Sequence, residues 1–97
     1  MIDLKAIQEE SEAWRVRNFG DAPLERRGLV LSEETGEVAR AIVKGAEKVR
    51  TDYGNLSDEL GDVIIAACSV ASKAGLDIEA CLALRWNEVG QREYPKG

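Results

Sequence analysis

Apolar residues recur at helical spacing along most of this chain, and nowhere is the alternation of a β-strand sustained. Asp3 can cap a first helix that we expect to end near Arg17, before the turn-like segment "NFGDAP". Its apolar positions are Leu4, Ile7 and Trp14. Because the only prolines are Pro23 and Pro95, the pattern predicts that the segment between them is helical too.

The second predicted helix begins near Pro23 and runs to about Lys44, where Gly45 can supply a left-handed end. The polar segment "GAEKVRTDYG" then connects it to the next helix. The apolar stripe of the second helix consists of Leu24, Leu31, Val38, Ala41 and Ile42.

Two more helices complete the predicted fold. Asn55 and Asp58 have the spacing of a capping box for a third helix, which continues to Lys73 and stops at Gly75. Asp77 can cap the fourth helix. The pattern therefore predicts an all-α, four-helix bundle-like single domain over residues 1–97. One side of the fourth helix carries Ile78, Cys81, Leu82, Arg85 and Val89.

The composition indicates a folded domain that oligomerisation would help to stabilise. Of 97 residues, 44% are hydrophobic and 32% are charged, which is typical of globular chains. A domain this short buries only roughly two thirds of the surface that its unfolded chain exposes. We therefore expect a homo-oligomer, in which more apolar surface is buried.

Charge and residue types argue against several classes of function. The net charge is -5 and acids and bases are interleaved, so no basic stripe is available for polymeric DNA or RNA. The chain has no histidine, which removes the usual zinc ligand and general base. No signal peptide or membrane-spanning run is evident, and we interpret Cys68 and Cys81 as reduced core thiols. These features predict a cytoplasmic protein without a membrane partner.

Acidic residues interrupt the apolar stripes of two successive helices. On the second helix, Glu34 and Glu37 fall within the stripe itself, and Glu33 flanks them. On the third helix, Glu59 and Asp62 lie on the core-facing side. Carboxylates in one partly buried site cannot all stay ionised unless positive charge neutralises them.

The neutralising charge has two possible sources. Arg85 on the fourth helix is one of them. A divalent cation is the other, and an all-oxygen site without histidine or thiolate suits Mg²⁺ or Mn²⁺. Because acids three apart are also common on solvated helix faces, the spacing leaves a metal site and an ordinary surface both open.

The same acids carry a family resemblance. "EETGE" followed by "ELGD" resembles the E-E-x-x-E and E-x-x-D signature of the MazG-like, all-α nucleoside triphosphate pyrophosphohydrolases. The flanking segments "GLVLSEETGEVARAI", "LSDELGDVIIAACSVA" and "RWNEVGQREYP" are similar as well, so the resemblance covers most of residues 28–95. The five acids of the signature are Glu33, Glu34, Glu37, Glu59 and Asp62.

The resemblance implies an enzyme that hydrolyses a nucleoside triphosphate between its α and β phosphates, releasing a nucleoside monophosphate and pyrophosphate with Mg²⁺. It also implies a homodimer or homotetramer whose active sites are completed by a neighbouring subunit. Glu33 or Glu34 would orient or deprotonate the attacking water. The implied metal ligands are Glu34, Glu37, Glu59 and Asp62.

The sequence identifies the substrate-binding residues less closely than it identifies the acids. Trp14 can stack on a base and Asn87 can bond a base edge or sugar, because related chains use an aromatic and an Asn near these positions. Trp14 also suits a core or interface position. Cations near the end of the fourth helix can hold phosphates, although a helix C-terminus favours them without any function. The candidate substrate-binding residues are Trp14, Arg85, Asn87, Arg92, Tyr94 and Lys96.

Three functions are compatible with the sequence. The main hypothesis is an Mg²⁺-dependent pyrophosphohydrolase of nucleoside triphosphates, above all deoxynucleotides, that serves house-cleaning or control of the nucleotide pool. The enzymatic alternative is a phosphoribosyl-ATP pyrophosphohydrolase, which uses similar helices and acids. The non-enzymatic alternative is a helical oligomerisation module whose acids pair with Arg and Lys across subunits.

Overall fold

A computed structural model describes residues 2–46 and 55–96, and within these residues the fold is all-α, without a strand. The predicted all-α class with four helices is thereby confirmed. Residues 47–54, which hold most of the predicted polar connection, lie outside the described part. The helices are α1 (Leu4–Phe19), α2 (Leu24–Ala46), α3 (Leu56–Ala74) and α4 (Ile78–Val89).

Three helix ends have the predicted capping chemistry. Asp3 Oδ1 accepts hydrogen bonds from two first-turn amides of α1 at 3.0 and 3.2 Å, and Asp77 does the same for α4 at 3.0 and 3.3 Å. Gly75 ends α3 in the left-handed region, with φ of 73°. The next amide, that of Leu76, donates to the Ala71 carbonyl at 2.8 Å, which completes a Schellman motif.

At two other helix ends the predicted capping was wrong. The helix α2 continues through Gly45 to Ala46, and Gly45 does not have a positive φ. Gly45 is buried within the helix. Asn55 occupies the cap position of α3 without a capping hydrogen bond, and its Nδ2 donates instead to Glu59 Oε1 at 2.8 Å. The predicted capping box with Asp58 is therefore absent.

The helix α3 is the one that the other three described helices contact. It packs along α2 and α1, and it meets α4 near the short turn that joins them. Gln8 of α1 fixes this corner, because its Nε2 donates to Ser72 Oγ at 3.1 Å and to the Leu76 carbonyl at 2.9 Å. Its Oε1 accepts from the Ile78 amide at 2.9 Å, at the start of α4.

The described core is small, and a single chain does not close a bundle around α4. No residue of α4 is buried. Its Leu84 and Trp86 side chains are 74% and 67% exposed. None of the described helices combines the length and hydropathy that crossing a bilayer requires. The buried apolar residues are Ala41, Ala66, Cys68 and Ala71.

The two cysteines differ in their surroundings. Cys68 is buried as predicted, and burial raises the pKa of its thiol above the ordinary value. The prediction that Cys81 is also a core thiol was wrong, because Cys81 lies on α4 and is exposed.

Candidate active site

Three of the predicted metal ligands meet where α2 packs on α3. One carboxylate oxygen each of Glu34, Glu59 and Asp62 lies within 4.8 Å of the others. Glu34 comes from α2, and the other two come from successive turns of α3. Glu34 and Glu59 are half-buried, whereas Asp62 is exposed.

The remaining acids of the signature flank this group. Glu37, one turn after Glu34, is half-buried and lines a hollow together with Glu59. Glu33 is exposed, as expected for a residue about 100° round the helix from Glu34. Glu34, Glu37, Glu59 and Asp62 thus form one acidic region, and Glu33 adjoins it.

Glu59 experiences the repulsion within the acidic region. Burial is the main cause that raises its pKa above the ordinary 4.5, and the charges of neighbouring acids, that of Glu37 foremost, raise it further. Among residues 2–46 and 55–96, no Lys or Arg forms an ion pair with the acidic region. The negative charge there favours a bound cation.

The donor set of the acidic region suits a hard divalent metal. All its side-chain donors are carboxylate oxygens, which Mg²⁺ and Mn²⁺ prefer over the nitrogen and sulfur ligands that zinc takes. The residues that could hold such an ion are Glu34, Glu37, Glu59 and Asp62.

An aromatic hollow of about 330 Å³ adjoins the acids on the side of α1. Glu34 and Asp62 line it, as do Trp14 and Phe19, whose ring centroids lie 5.6 Å apart with the rings at 75°. Arg15 lines both this hollow and an adjacent one of about 350 Å³. Trp14, singled out as a base-stacking candidate, therefore lies beside the acids.

Arg27, which the sequence analysis did not identify, is buried behind these hollows with only 2% of its side chain exposed. Its Nη1 donates to Glu12 Oε1 at 2.6 Å and to the Ser69 carbonyl at 3.0 Å. Its Nη2 donates to Asp21 Oδ1 at 2.9 Å, and its Nε donates to the Ala22 carbonyl at 2.8 Å. Arg27 thus joins α1, α2 and α3, and each of its three side-chain nitrogens donates a hydrogen bond within the protein.

The other predicted substrate-binding residues lie on α4 and the segment after it. Arg85 and Arg92 both pair with Glu88, at 3.2 and 3.7 Å. In the described part of the chain, none of these residues lines the hollows next to the acids, so their role in binding stays a prediction. The exposed remainder of this set is Asn87, Tyr94 and Lys96.

The all-helical architecture agrees with a known family. Residues 24–93 match the family model of the MazG nucleotide pyrophosphohydrolase domain, which spans α2, α3 and α4 with all five acids. The chain belongs to the MazG family. As a MazG domain it is a nucleotide pyrophosphohydrolase, of a class that acts on nucleoside triphosphates and generally depends on a divalent metal. Curated proteins and solved structures give no match to the chain.

Proposed function

We propose that this MazG domain is an Mg²⁺-dependent nucleoside triphosphate pyrophosphohydrolase that releases a nucleoside monophosphate and pyrophosphate. The proposal depends above all on the convergence of Glu34, Glu59 and Asp62, whose oxygens approach within 4.8 Å although they come from two helices. The adjacent 330 Å³ aromatic hollow falls in the size range of small-molecule sites, which supports a nucleoside ligand.

The acids divide the chemistry between them. Glu34, Glu37, Glu59 and Asp62 would hold the metal. When bound, Mg²⁺ or Mn²⁺ supplies neutralisation of the triphosphate charge and acidifies the attacking water. A carboxylate then takes the proton of that water. Of the two predicted bases, the half-buried Glu34 belongs to the acidic region and Glu33 is exposed, which favours Glu34.

Substrate recognition involves both α1 and a neighbouring subunit. Trp14 is 48% exposed in the aromatic hollow, where its ring is available to stack on a base. We propose that Arg85, Asn87 and the cations and Tyr94 after α4 contact a substrate held by a neighbouring copy, because within one chain they do not line the described hollows beside the acids. We propose deoxynucleoside triphosphates as the preferred substrates and house-cleaning or control of the nucleotide pool as the role.

A homodimer or homotetramer of this single domain accounts for the small core. The accessible surface of the chain is 7522 Å², whereas a compact monomer of 10.6 kDa exposes about 5,500 Å². Large apolar side chains contribute to that surface on α3 and α4, among them Leu60, Ile64, Leu82 and Trp86. Their burial between copies would supply the hydrophobic stabilisation that the monomer core lacks.

A panel of triphosphates with product identification tests the proposal. Ribo- and deoxynucleoside triphosphates and phosphoribosyl-ATP are incubated with the protein and Mg²⁺ or Mn²⁺, and products are separated by ion-exchange chromatography. We expect monophosphate and pyrophosphate in equal amounts, with the fastest turnover on deoxynucleotides. Absence of pyrophosphate from every reaction would refute the proposal, and exclusive turnover of phosphoribosyl-ATP would replace its substrate.

A further inference from the structure

The seam between α2 and α3 has a direction that the acids alone do not reveal. The two helices run antiparallel along this seam. From one hollow to the next, the lining residues therefore come from later turns of α2 and from earlier turns of α3. Val30 and Ala66 lie at the aromatic end, and the acidic region occupies the middle. A third hollow lies at the other end, where Lys44 and Asn55 face each other across it.

This third hollow is small and carries the only cations that line the seam next to Glu37 and Glu59 in the described residues. Its volume is about 100 Å³, and Arg40 and Lys44 both line it. With the helical rise of 1.5 Å per residue, their backbone positions lie about 5 and 10 Å beyond Glu37. The helix dipole by itself favours Lys44 in the last turn of α2, but its influence does not extend to Arg40.

We propose that Arg40 and Lys44 bind the leaving pyrophosphate, so that the nucleotide lies along the seam with its nucleoside in the aromatic hollow. This orientation rests on the proposed function. The 330 Å³ hollow has aromatic walls and room for a base and sugar, whereas the 100 Å³ hollow is polar and brings Arg40 and Lys44 beside the metal-site acids Glu37 and Glu59. Each end of the substrate thus meets the size and charge that suit it.

The orientation also assigns a direction to the reaction. Water forms a new bond to the α phosphorus while the bond from that phosphorus to the oxygen bridging to the β phosphorus breaks, with the two oxygens roughly in line. Because pyrophosphate departs towards Arg40 and Lys44, the attacking water approaches the α phosphorus from the side away from these cations, where Glu34 lies in the acidic region. Glu34 accepts the proton of that water, and the two cations stabilise the charge that develops on the leaving oxygen.

Product binding tests the orientation separately from turnover. The charge-neutralising pair Arg40→Gln/Lys44→Gln is compared with Lys5→Gln/Arg17→Gln, which removes two cations from outside the seam. Inhibition constants for pyrophosphate and for the nucleoside monophosphate are measured with Mg²⁺, and pyrophosphate binding is also titrated calorimetrically. The complementary variant, Trp14→Ala, removes the stacking surface at the aromatic end.

We expect the Arg40→Gln/Lys44→Gln variant to weaken pyrophosphate binding at least about tenfold, since each charged hydrogen bond contributes on that order. Binding of the monophosphate should change less than about twofold, and Trp14→Ala should show the opposite pattern. If the double variant does not fold by circular dichroism, Arg40→Gln alone carries the test.

Unchanged pyrophosphate binding, or equal weakening of both products, would overturn the orientation. If either outcome occurs while the wild-type protein releases pyrophosphate from triphosphates, the proposed orientation is refuted and the proposed function stands. A wild-type protein that hydrolyses no triphosphate would instead remove the proposed function itself.

Discussion

Glu59 is the residue at which the cost of assembling the acidic region is greatest. Burial and the charges of its neighbours raise its pKa, and Asn55 supplies a single neutral hydrogen bond in return. A folded-state pKa above the unfolded value means that the ionised form destabilises the fold, and that stability increases as pH falls through the folded pKa. A site with this property is more stable when a cation occupies it.

Replacing Glu59 with Gln tests whether this carboxylate lowers stability without a metal and raises the stabilisation that a bound metal gives. Without divalent cation at pH 7, we expect Glu59→Gln to melt at the same temperature as wild type or higher, because one repelled charge is gone. With Mg²⁺, the wild-type melting temperature should rise and that of the variant should rise less. Differential scanning fluorimetry of both proteins, with exposed Glu10→Gln as the control, measures both effects. A variant that melts lower without Mg²⁺ and gains as much from it would contradict this account.

Asp21 leads to a second prediction at the residue scale, which concerns the dependence of stability on pH. The hydrogen bond and charge of Lys73, followed by the charge and hydrogen bond of Arg27, hold the pKa of Asp21 below its ordinary 3.8. Because the folded pKa is lower than the unfolded one, this stabilisation is present above pH 3.8 and is lost as pH falls through the folded pKa. Lys73→Met should therefore have a lower unfolding free energy than wild type at pH 6, and this difference should disappear in acid. Urea denaturation over a pH series checks it, and a difference independent of pH would contradict it.

At the residue scale, the sequence revealed the acids but not their surroundings. Glu34 and Glu37 could be identified because they break an apolar stripe, which is a local pattern. Arg27 carries the same signal, since it lies three residues after Leu24 and four before Leu31 on that stripe. Its partners come from α1, α3 and the turn before α2, and no local pattern predicts such non-local bonds.

At the scale of elements, Arg27 is the main polar link between the three helices that surround the site. We expect Arg27→Gln to lower the unfolding free energy by about 3 kcal/mol, because it leaves the partly buried Glu12 carboxylate and the buried Ser69 carbonyl without their partner. The neighbouring exposed Arg26→Gln should change it by less than about 0.5 kcal/mol. Chemical denaturation followed by circular dichroism compares the two. Equal effects would show that Arg27 does not hold the helices together.

Helix ends were predictable where a short-range contact decides them. Asp3 and Asp77 cap the first turn of their own helices, and Gly75 adopts the left-handed conformation that its sequence position suggests. Gly45 misled the prediction because α2 continues through it to Ala46, and a glycine permits a helical backbone as well as a left-handed one. Asn55 misled it because Glu59 competes for its side chain.

At the scale of the whole molecule, the exposed apolar surface predicts an assembly. We expect light scattering to give the wild-type protein a mass of about two or four times the 10.6 kDa of one chain. Leu82→Lys, on a face of α4 that also carries Trp86, should shift the protein towards the monomer and lower its melting temperature. Glu93→Lys in the exposed segment after α4 is the control. A monomeric wild-type protein at micromolar concentration would contradict the proposed oligomer.

The central claim is that the acidic region between α2 and α3 hydrolyses triphosphates to monophosphate and pyrophosphate. Its most direct test is the rate of pyrophosphate release from a deoxynucleoside triphosphate by wild type and by Glu59→Gln, with Mg²⁺ present. We predict release by wild type and a loss of at least about 100-fold in the variant, since weaker perturbations of a metal site already cost 10–100-fold. Equal rates in the two proteins, or no release by wild type from any triphosphate, would contradict the claim.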